Sequence, residues 1–415
     1  MKLLEKRADA AKWLENVYLL LFGILMAYMF LLLTSFDIPW QVITKTADGS
    51  RSLLAKLFLE KPYYLLQIVV VLRLLIQEKY DYRKIAGVLV TLGCIWWLWK
   101  QSGHDFLLLY GVLILGAQGI SFQKIMKVYF LVIGSLFVLT IGCASVGIIE
   151  NYVYYRADGS VRHALGLSAP TNFGAVAFYL TMVWWYLRKE KITWPEIGVI
   201  AAFAAIVQVV VDSRCAVICM FGTVAVMALR RIICDRCQKM EKPYRMNGAI
   251  SFCMVLFQPL VAAVMAVLTT QYKDTPFWTS MNEILSNRLY LGKKAMDLFG
   301  IKLFGQYIRF STYTDGKTQG VYFYIDSSYM QLAIVYGIVI LGAVLLMYLL
   351  IGEKARREQD WTLLWILALI TIHSTIEPRL MHLPYNSFPI ALLATTGHAA
   401  GLELKEIIQK KWIKS

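Results

Sequence analysis

Apolar runs long enough to cross a bilayer recur along the chain, separated by short polar breaks. They predict helices near 17–36, 62–77, 85–99, 105–120, 128–148 and 173–187. Six more follow near 197–211, 215–229, 250–269, 329–351, 361–376 and 387–402. A hydrocarbon core of about 30 Å takes roughly 20 residues per helix, fewer where helices pack in protein. About twelve crossings place both termini on one side. The stretch Ser280–Gly300 has another pattern, two-faced at helical period. Met281, Ile284, Leu285, Leu291, Gly292, Ala295 and Phe299 fall on one face; Asn282, Glu283, Ser286, Lys293, Lys294 and Asp297 fall on the other. Ser280 and Glu283 form a capping-box pattern, and Gly300 stands where a helix C-terminus favours a left-handed residue. Arg288 lies in the middle of the apolar face. It is either the ligand of a buried anion or an arginine that snorkels to a lipid phosphate.

Composition agrees with the pattern. The 415 residues are 58% hydrophobic, with a mean hydropathy of +0.57, yet carry a net charge of +15. The expectation is an all-α polytopic membrane protein whose residues 1–415 form a single integral membrane domain. The first apolar run is too long for a cleavable signal and lacks a small-residue cleavage site. Lys2, Lys6, Arg7 and Lys12 predict a cytoplasmic N-terminus, and Lys405, Lys410, Lys411 and Lys414 a cytoplasmic C-terminus. The segments 37–61, 149–172 and 270–328 then lie outside. The last is a long extracytoplasmic loop between the ninth and tenth helices, holding the amphipathic helix 280–300. Its basic residues run against the positive-inside trend, which a long translocated loop escapes.

Seven cysteines give no disulfide framework, since none lies in a long outer loop. Cys234 and Cys237 form a CxxC in a basic inner loop, without the second pair or nearby histidine that a zinc site needs. GxxxxGK[ST], HExxH and a hydrolase serine elbow are all absent from the sequence, so ATP-driven transport and zinc proteolysis find no support.

Polar chemistry collects near the predicted outer ends. Arg73 interrupts VVVLRLLI near the inner end of the second helix, where it either faces the bundle or snorkels inward. The loop 149–172 interleaves Tyr152, Tyr154 and Tyr155 with Arg156 and Arg162. Tyrosine faces stack on sugars and arginine forks bind phosphate, although interfacial tyrosines also anchor ordinary membrane helices. Arg162 and His163 precede a Pro-Thr-Asn-Phe-Gly helix entry. Only Asp212, Ser213 and Arg214 join two short helices, so this turn is expected below the outer surface, reached through a cavity. Arg214 there is either a diphosphate ligand or the partner of Asp212. Asp326 precedes the tenth helix. His373 and Glu377 share one face at the end of the eleventh, and Arg379, His382, Tyr385 and Asn386 follow.

The stretches RHALGLSAPTNFGA (162–175), VDSRCAV (211–217), NRLYLGKKAMDLFGIKLFG (287–305), YIDSSYMQLAIVYG (324–337) and EPRLMHLPYN (377–386) together resemble the Wzy-type O-antigen and capsular polysaccharide polymerases and, more distantly, the O-antigen ligases. With the twelve-helix layout, the resemblance covers most of the chain. It implies a GT-C-like bundle in the bacterial plasma (inner) membrane, with its active face extracytoplasmic. The implied enzyme is a metal-independent glycosyltransferase that uses no cofactor and no nucleotide sugar. It joins undecaprenyl-diphosphate-linked oligosaccharides into a surface polysaccharide. The implied partners are those lipid-linked oligosaccharides, membrane lipids and a chain-length regulator membrane protein, with no nucleic acid.

Diphosphate-binding arginines of that family map onto Arg162, Arg214 and Arg288. Arg162…Gly174 and Arg288…Gly300 echo its paired Arg…Gly loops. For proton acceptance the order is Asp326, then Glu377, then His382. His163, Asp212, His373, Arg379, Tyr385 and Asn386 are further substrate-binding candidates. Ligases resemble a pattern of His, a small polar residue, nine residues and Gly; here Asp326 holds the histidine's place before Ser327 and Gly337. A ligase-type transferase and a lipid-linked oligosaccharide flippase are the alternatives.

Overall fold

A computed structural model of the chain describes residues 2–36, 63–77, 86–87, 90–91, 93–97, 100, 106–156, 159–239, 245–314 and 317–396. The outer segment 37–61, part of the helix predicted at 85–99, and the basic C-terminal residues from 397 onward lie outside the described residues. The chain is mostly helical. Its helices are α1 (Lys2–Leu31), α2 (Tyr63–Gln77), α3 (Phe106–Gly116), α4 (Phe122–Ser145), α5 (Pro170–Arg188), α6 (Trp194–Val211) and α7 (Arg214–Lys239). Then follow α8 (Gly248–Gln271), α9 (Pro276–Ile284), α10 (Arg288–Phe299), α11 (Ser328–Gln331), α12 (Ile338–Arg357) and α13 (Trp361–Ile376). Six helical segments among the described residues are long and apolar enough to cross a membrane: Asp9–Leu31, Phe122–Ser145, Trp194–Val211, Arg214–Cys237, Gly248–Gln271 and Ile338–Arg357. Arg73 falls within α2, and its side chain is outside the described residues.

The helices sort by how much of their girth is buried. On α5, thirteen of nineteen residues are buried, among them Phe173, Phe178, Tyr179, Trp185 and Tyr186, so it runs through the middle of the bundle. It packs against α4, α6, α7 and α13. By contrast α6 buries only five of its eighteen residues and exposes Val199, Ile206 and Val209, the pattern of a helix facing hydrocarbon. Gly174 explains how α5 approaches so closely: a Cβ there would come 2.2 Å from the Ser213 hydroxyl oxygen. Around this centre α1 packs on α2 and α4, and α8 packs on α12 and α13.

Several expectations change. The capping box at Ser280 does not start a helix: α9 begins at Pro276, after Thr275. The reciprocal capping box is instead at Thr193 and Glu196, opening α6. The continuous helix 280–300 is two helices, because Ser286 and Asn287 both take positive φ and break the ladder between α9 and α10. Of its expected apolar face, Gly292 and Ala295 are buried while Ile284 and Phe299 are exposed. Of the helix predicted at 387–402, the described residues 387–396 hold a short 3-10 turn, Phe388–Leu392, wedged into the core, and the rest lies outside the described residues. The turn's end is capped by Lys354 of α12, whose ammonium donates to the carbonyls of Ala391 and Ala394. Two antiparallel hairpins also stand outside the all-helical expectation: β1 (Val153–Tyr155) with β2 (Val161–His163), and β3 (Ser311–Thr314) with β4 (Lys317–Phe323).

The helix predicted at 329–351 is likewise divided. After α11 the chain makes a π-helical turn over Leu332–Tyr336, and Gly337 at φ +93° resets it into α12. Gly337 lies against the backbone of Leu303–Gly305, and a Cβ there would sit 2.3 Å from the Gly305 nitrogen. Gly337→Ala should therefore destabilise the fold by more than about 1 kcal/mol, since both φ and space forbid the methyl group. Gly342→Ala, in open space on α12, should be neutral or stabilising. Thermal unfolding of the detergent-solubilised variants, followed by size-exclusion fluorescence, checks the contrast.

Candidate functional site

The break after α9 is held by one side chain. Buried Asn282 accepts from the Tyr290 N–H at 3.0 Å and donates to the Asn287 side-chain oxygen at 2.9 Å. Its carbonyl accepts from the Asn287 N–H at 2.8 Å. With the left-handed pair at 286–287 fixed this way, Arg288 turns inward. Its Nε donates to the carbonyl of Ile376, the last residue of α13, at 3.0 Å, and Nη1 donates to the Ser286 carbonyl. Nη2 lies 3.5 Å from the Asp326 carboxylate, and the side chain is 14% exposed. Of the two readings of Arg288, the inward one describes its placement: its partners are protein groups at a cavity wall.

The β1–β2 hairpin brings two more arginines to the corner between α6 and α7. Asp212 ends α6 in the left-handed conformation, which aspartate tolerates better than most residues. Arg156 grips it twice, through the carboxylate at 3.1 Å and the carbonyl at 2.9 Å, while Arg162 Nε donates to the Val211 carbonyl at 3.4 Å. Arg214 also touches the Asp212 carboxylate, at 3.4 Å, but its side chain is 55% exposed, so that pair is a weak one. Asp212 thus serves as the counter-charge that holds Arg156.

The end of α13 supplies the rest. Glu377 leaves the helix in extended conformation, and its carbonyl accepts from the Ser328 hydroxyl at 2.6 Å. The same hydroxyl accepts from the Leu380 N–H, which ties α11 to this corner. Arg379 donates to the Asn172 side-chain oxygen at 2.6 Å and lies 4.0 Å from Glu377. Its guanidinium stacks 4.6 Å above the ring of Tyr385.

These side chains surround a cavity of about 1,320 Å³ that adjoins a smaller chamber of about 390 Å³. Arg156, Arg162, Arg288 and Glu377 line both spaces. Arg379, Asp326, Asn172, Tyr154, Tyr290 and Tyr324 line the large one, and Arg214, Ser213, Cys215 and Glu283 the small one. Five arginines against three carboxylates leave a basic interior. Burial pushes the Asp326 carboxyl up from the ordinary carboxylate range, against the pull of Arg288 and Arg379. Burial does the same to Glu377, against Arg379, Arg288 and Arg162, and the charge on Asp326 raises it further.

Several candidates fall elsewhere. His373 is buried in the core, stacked 4.4 Å from Phe178 and edge-on to Tyr179, and is not a cavity residue. Asn386 is a clasp: its amide donates to the Tyr348 hydroxyl and the Leu380 carbonyl, both at 2.8 Å. Tyr385 supports Arg379 from beneath. His382 sits 3.5 Å from Arg379, and His163 pairs with Asn151; neither lines the cavity. Gly174 and Gly300 do different jobs, close helix packing and a C-terminal cap, so the two Arg…Gly spacings share no structural role. Arg156 belongs to the tyrosine–arginine pattern of 149–172, whereas Asn172 and Tyr324 carry no sequence signal that separates them from their neighbours; the fold brings them in. Cys234 and Cys237 are unbonded thiols near the end of α7, remote in sequence from every lining residue. A separate cleft of about 710 Å³ between α4, α5 and α6 is lined almost wholly by apolar side chains such as Phe130, Leu180, Trp184 and Phe203.

No family model matches the chain, and no curated protein or solved structure is significantly similar to it.

The raised carboxyls set the sign of a pH effect. As pH falls, Asp326 and Glu377 take up protons before an ordinary carboxylate would, because burial raises both, and the cavity gains net positive charge. Sulfate, whose charge does not change between the two, should bind more tightly at pH 5 than at pH 7. An Asp326→Asn, Glu377→Gln double variant should bind it tightly with a flatter profile. Titration calorimetry on the full chain in detergent reads both curves.

Proposed function

We propose that the chain is a glycosyltransferase of the Wzy type, a polymerase that joins undecaprenyl-diphosphate-linked oligosaccharide units into a surface polysaccharide. The observation that carries this reading is the convergence of Arg156, Arg162, Arg214, Arg288 and Arg379 on one cavity, together with carboxylates and tyrosines, at one end of an apolar helical bundle. Arginine forks bind phosphate oxygens bidentately, and tyrosine faces and an amide suit sugar hydroxyls and rings. The sequence resemblance supplies the substrate class. In this reading the bundle is GT-C-like with about twelve crossings, the termini are cytoplasmic, and the cavity opens on the outer side of a bacterial plasma membrane.

The chemistry follows from the residues. A sugar leaves its diphosphate at the anomeric carbon while an acceptor hydroxyl attacks. The developing charge on the diphosphate is stabilised by guanidinium groups already held in place, so little reorganisation accompanies the step. The acceptor's proton goes to a carboxylate. Asp326 and Glu377 both face the cavity, whereas His382 does not line it.

Two rivals differ in outcome. A ligase-type transferase would move a finished chain onto a different acceptor, and Asp326 stands where the ligase pattern has histidine. A flippase would move lipid-linked oligosaccharide without lengthening it. Purified protein in vesicles, given lipid-linked oligosaccharide without ATP or nucleotide sugar, should produce a ladder of longer chains. Arg288→Ala should lose about 2–5 kcal/mol of donor affinity or transition-state stabilisation, and lysine should restore little, because it lacks the fork. Wild-type chain lengths from Arg288→Ala at normal protein level would sink this reading.

The sidedness has its own check. Lys294→Cys should react with an impermeant thiol reagent in intact cells. Arg236→Cys, in a background without Cys234 and Cys237, should react only after permeabilisation. The reverse pattern would place the cavity on the cytoplasmic side.

A further inference from the structure

The two chambers differ in what they offer a ligand, although their charge is nearly the same. Each is walled by four arginines and two carboxylates: Arg156, Arg162, Arg288 and Glu377 in common, with Arg379 and Asp326 on the large side and Arg214 and Glu283 on the small side. The large chamber adds tyrosines and the Asn172 amide, groups that stack on and hydrogen-bond to uncharged polar rings. Among the residues lining the small chamber there is no aromatic ring, and its volume is less than a third of its neighbour's. One space suits a carbohydrate, and the other suits a compact anion. The residues that belong to both are the wall between them.

We propose that the small chamber seats the diphosphate of the donor and the large chamber its carbohydrate, with Glu377 in the shared wall as the base for the acceptor hydroxyl. This deepens, and rests on, the polymerase reading above. The bond to be broken joins the anomeric carbon to a diphosphate oxygen, so in this arrangement it crosses the wall. That bond's electron pair leaves with the diphosphate, toward Arg162, Arg214 and Arg288. The acceptor oxygen forms the new bond to the anomeric carbon, and its proton passes to the Glu377 carboxylate. Nothing else is consumed.

The geometry separates the two carboxylates. Asp326 lines the large chamber only and lies 3.5 Å from Arg288, so it is a positioning residue that steers a guanidinium. Glu377 faces both spaces, lies 4.0 Å from Arg379, and has its backbone fixed by the Ser328 hydroxyl and the end of α13.

Farnesyl diphosphate, which carries the diphosphate and a short prenyl chain but no sugar, separates the chambers. On the full chain in detergent, Arg214→Ala should weaken its binding at least tenfold, with Arg214→Lys intermediate. Tyr324→Ala should leave that affinity within twofold of wild type and raise the KM for lipid-linked oligosaccharide. Glu377→Gln removes a negative charge beside the anion, so it should bind farnesyl diphosphate as tightly as wild type or more tightly. Chain elongation by Glu377→Gln should nonetheless fall by about 10²–10⁴-fold. A purely structural glutamate would not pair unimpaired anion binding with that loss. Equal loss of farnesyl diphosphate binding in Tyr324→Ala and Arg214→Ala would overturn the division of chambers. Normal elongation by Glu377→Gln would overturn its role as base. Wild-type protein that binds no farnesyl diphosphate and lengthens no chain would instead remove the polymerase reading on which the division rests.

Discussion

Helix C-termini that stop inside a protein leave carbonyl groups without partners, and the cavity is built on that constraint. The last carbonyls of a helix have no intrahelical N–H to accept from, and unmet acceptors away from water are costly. Here guanidinium groups meet them. Arg288 donates to Ile376 at the end of α13, Arg162 to Val211 at the end of α6, and Arg156 to Asp212, the residue that caps α6. Each contact also sets a cation against the negative end of a helix dipole. Lys354, which lines neither chamber, does the same for the 3-10 turn at 388–392. An arginine has five N–H donors in a fixed fork. Such a contact locks the side chain in place, and all three of these arginines line the cavity and its smaller neighbour. The feature that stabilises the helix ends is therefore the one that makes the cavity basic.

The same reasoning explains why the loops are arranged as they are. A continuous helix over 280–300 would carry Arg288 along one face with its neighbours Leu285 and Leu291, beside the exposed side chain of Ile284. The left-handed pair Ser286 and Asn287 interrupts that face, and Asn282 holds the interruption with three hydrogen bonds. Positive φ at non-glycine residues costs of order 1–3 kcal/mol each, and such conformations persist where the surroundings over-determine them. The hairpin β1–β2 has a parallel task. Its cross-strand register sets Tyr154 opposite Arg162, and Arg156 follows directly after β1, so both arginines reach the α6–α7 corner.

Much of this was legible in the residues, and the limits are physical. Apolar runs located α6 and α8 to within three positions and found α4 and α7 with one end six and ten residues short, because length and hydropathy mark the lipid-facing part of a helix and not its polar ends. The DSR corner between α6 and α7 was legible from the shortness of the two runs it joins, whereas for Arg288 the residues left a buried-anion ligand and a snorkelling side chain both open. Periodicity misled at 280–300, since a two-residue left-handed break leaves the flanking pattern intact. It misled again at 387–396, where an apolar run that fills the core with a 3-10 turn reads like part of a span. His373 illustrates a further limit. Spacing placed it near Glu377, but Glu377 leaves the helix in extended form, and the histidine stays behind in an aromatic stack. Arg156 and Arg379 gained their places only through partners distant in sequence, Asp212 and Asn172.

On the proposed polymerase reading, with Glu377 as the proposed base, the carboxylates within a basic cavity have a consequence for turnover. Five arginines with no opposing charge would hold a diphosphate tightly both before and after the reaction, and binding that is equal in ground and transition states adds nothing to the chemical step. Asp326 and Glu377 offset part of that attraction while the anion is still esterified. When the bond to the sugar breaks, negative charge concentrates on the departing oxygen, and the arginines of the shared wall gain most there. If Glu377 has taken the acceptor's proton by then, one opposing charge is gone at the moment the leaving group's charge appears. Proton transfer and leaving-group stabilisation are thereby coupled through one residue. Return of Glu377 to the carboxylate form afterwards weakens the hold on the free diphosphate and favours its release.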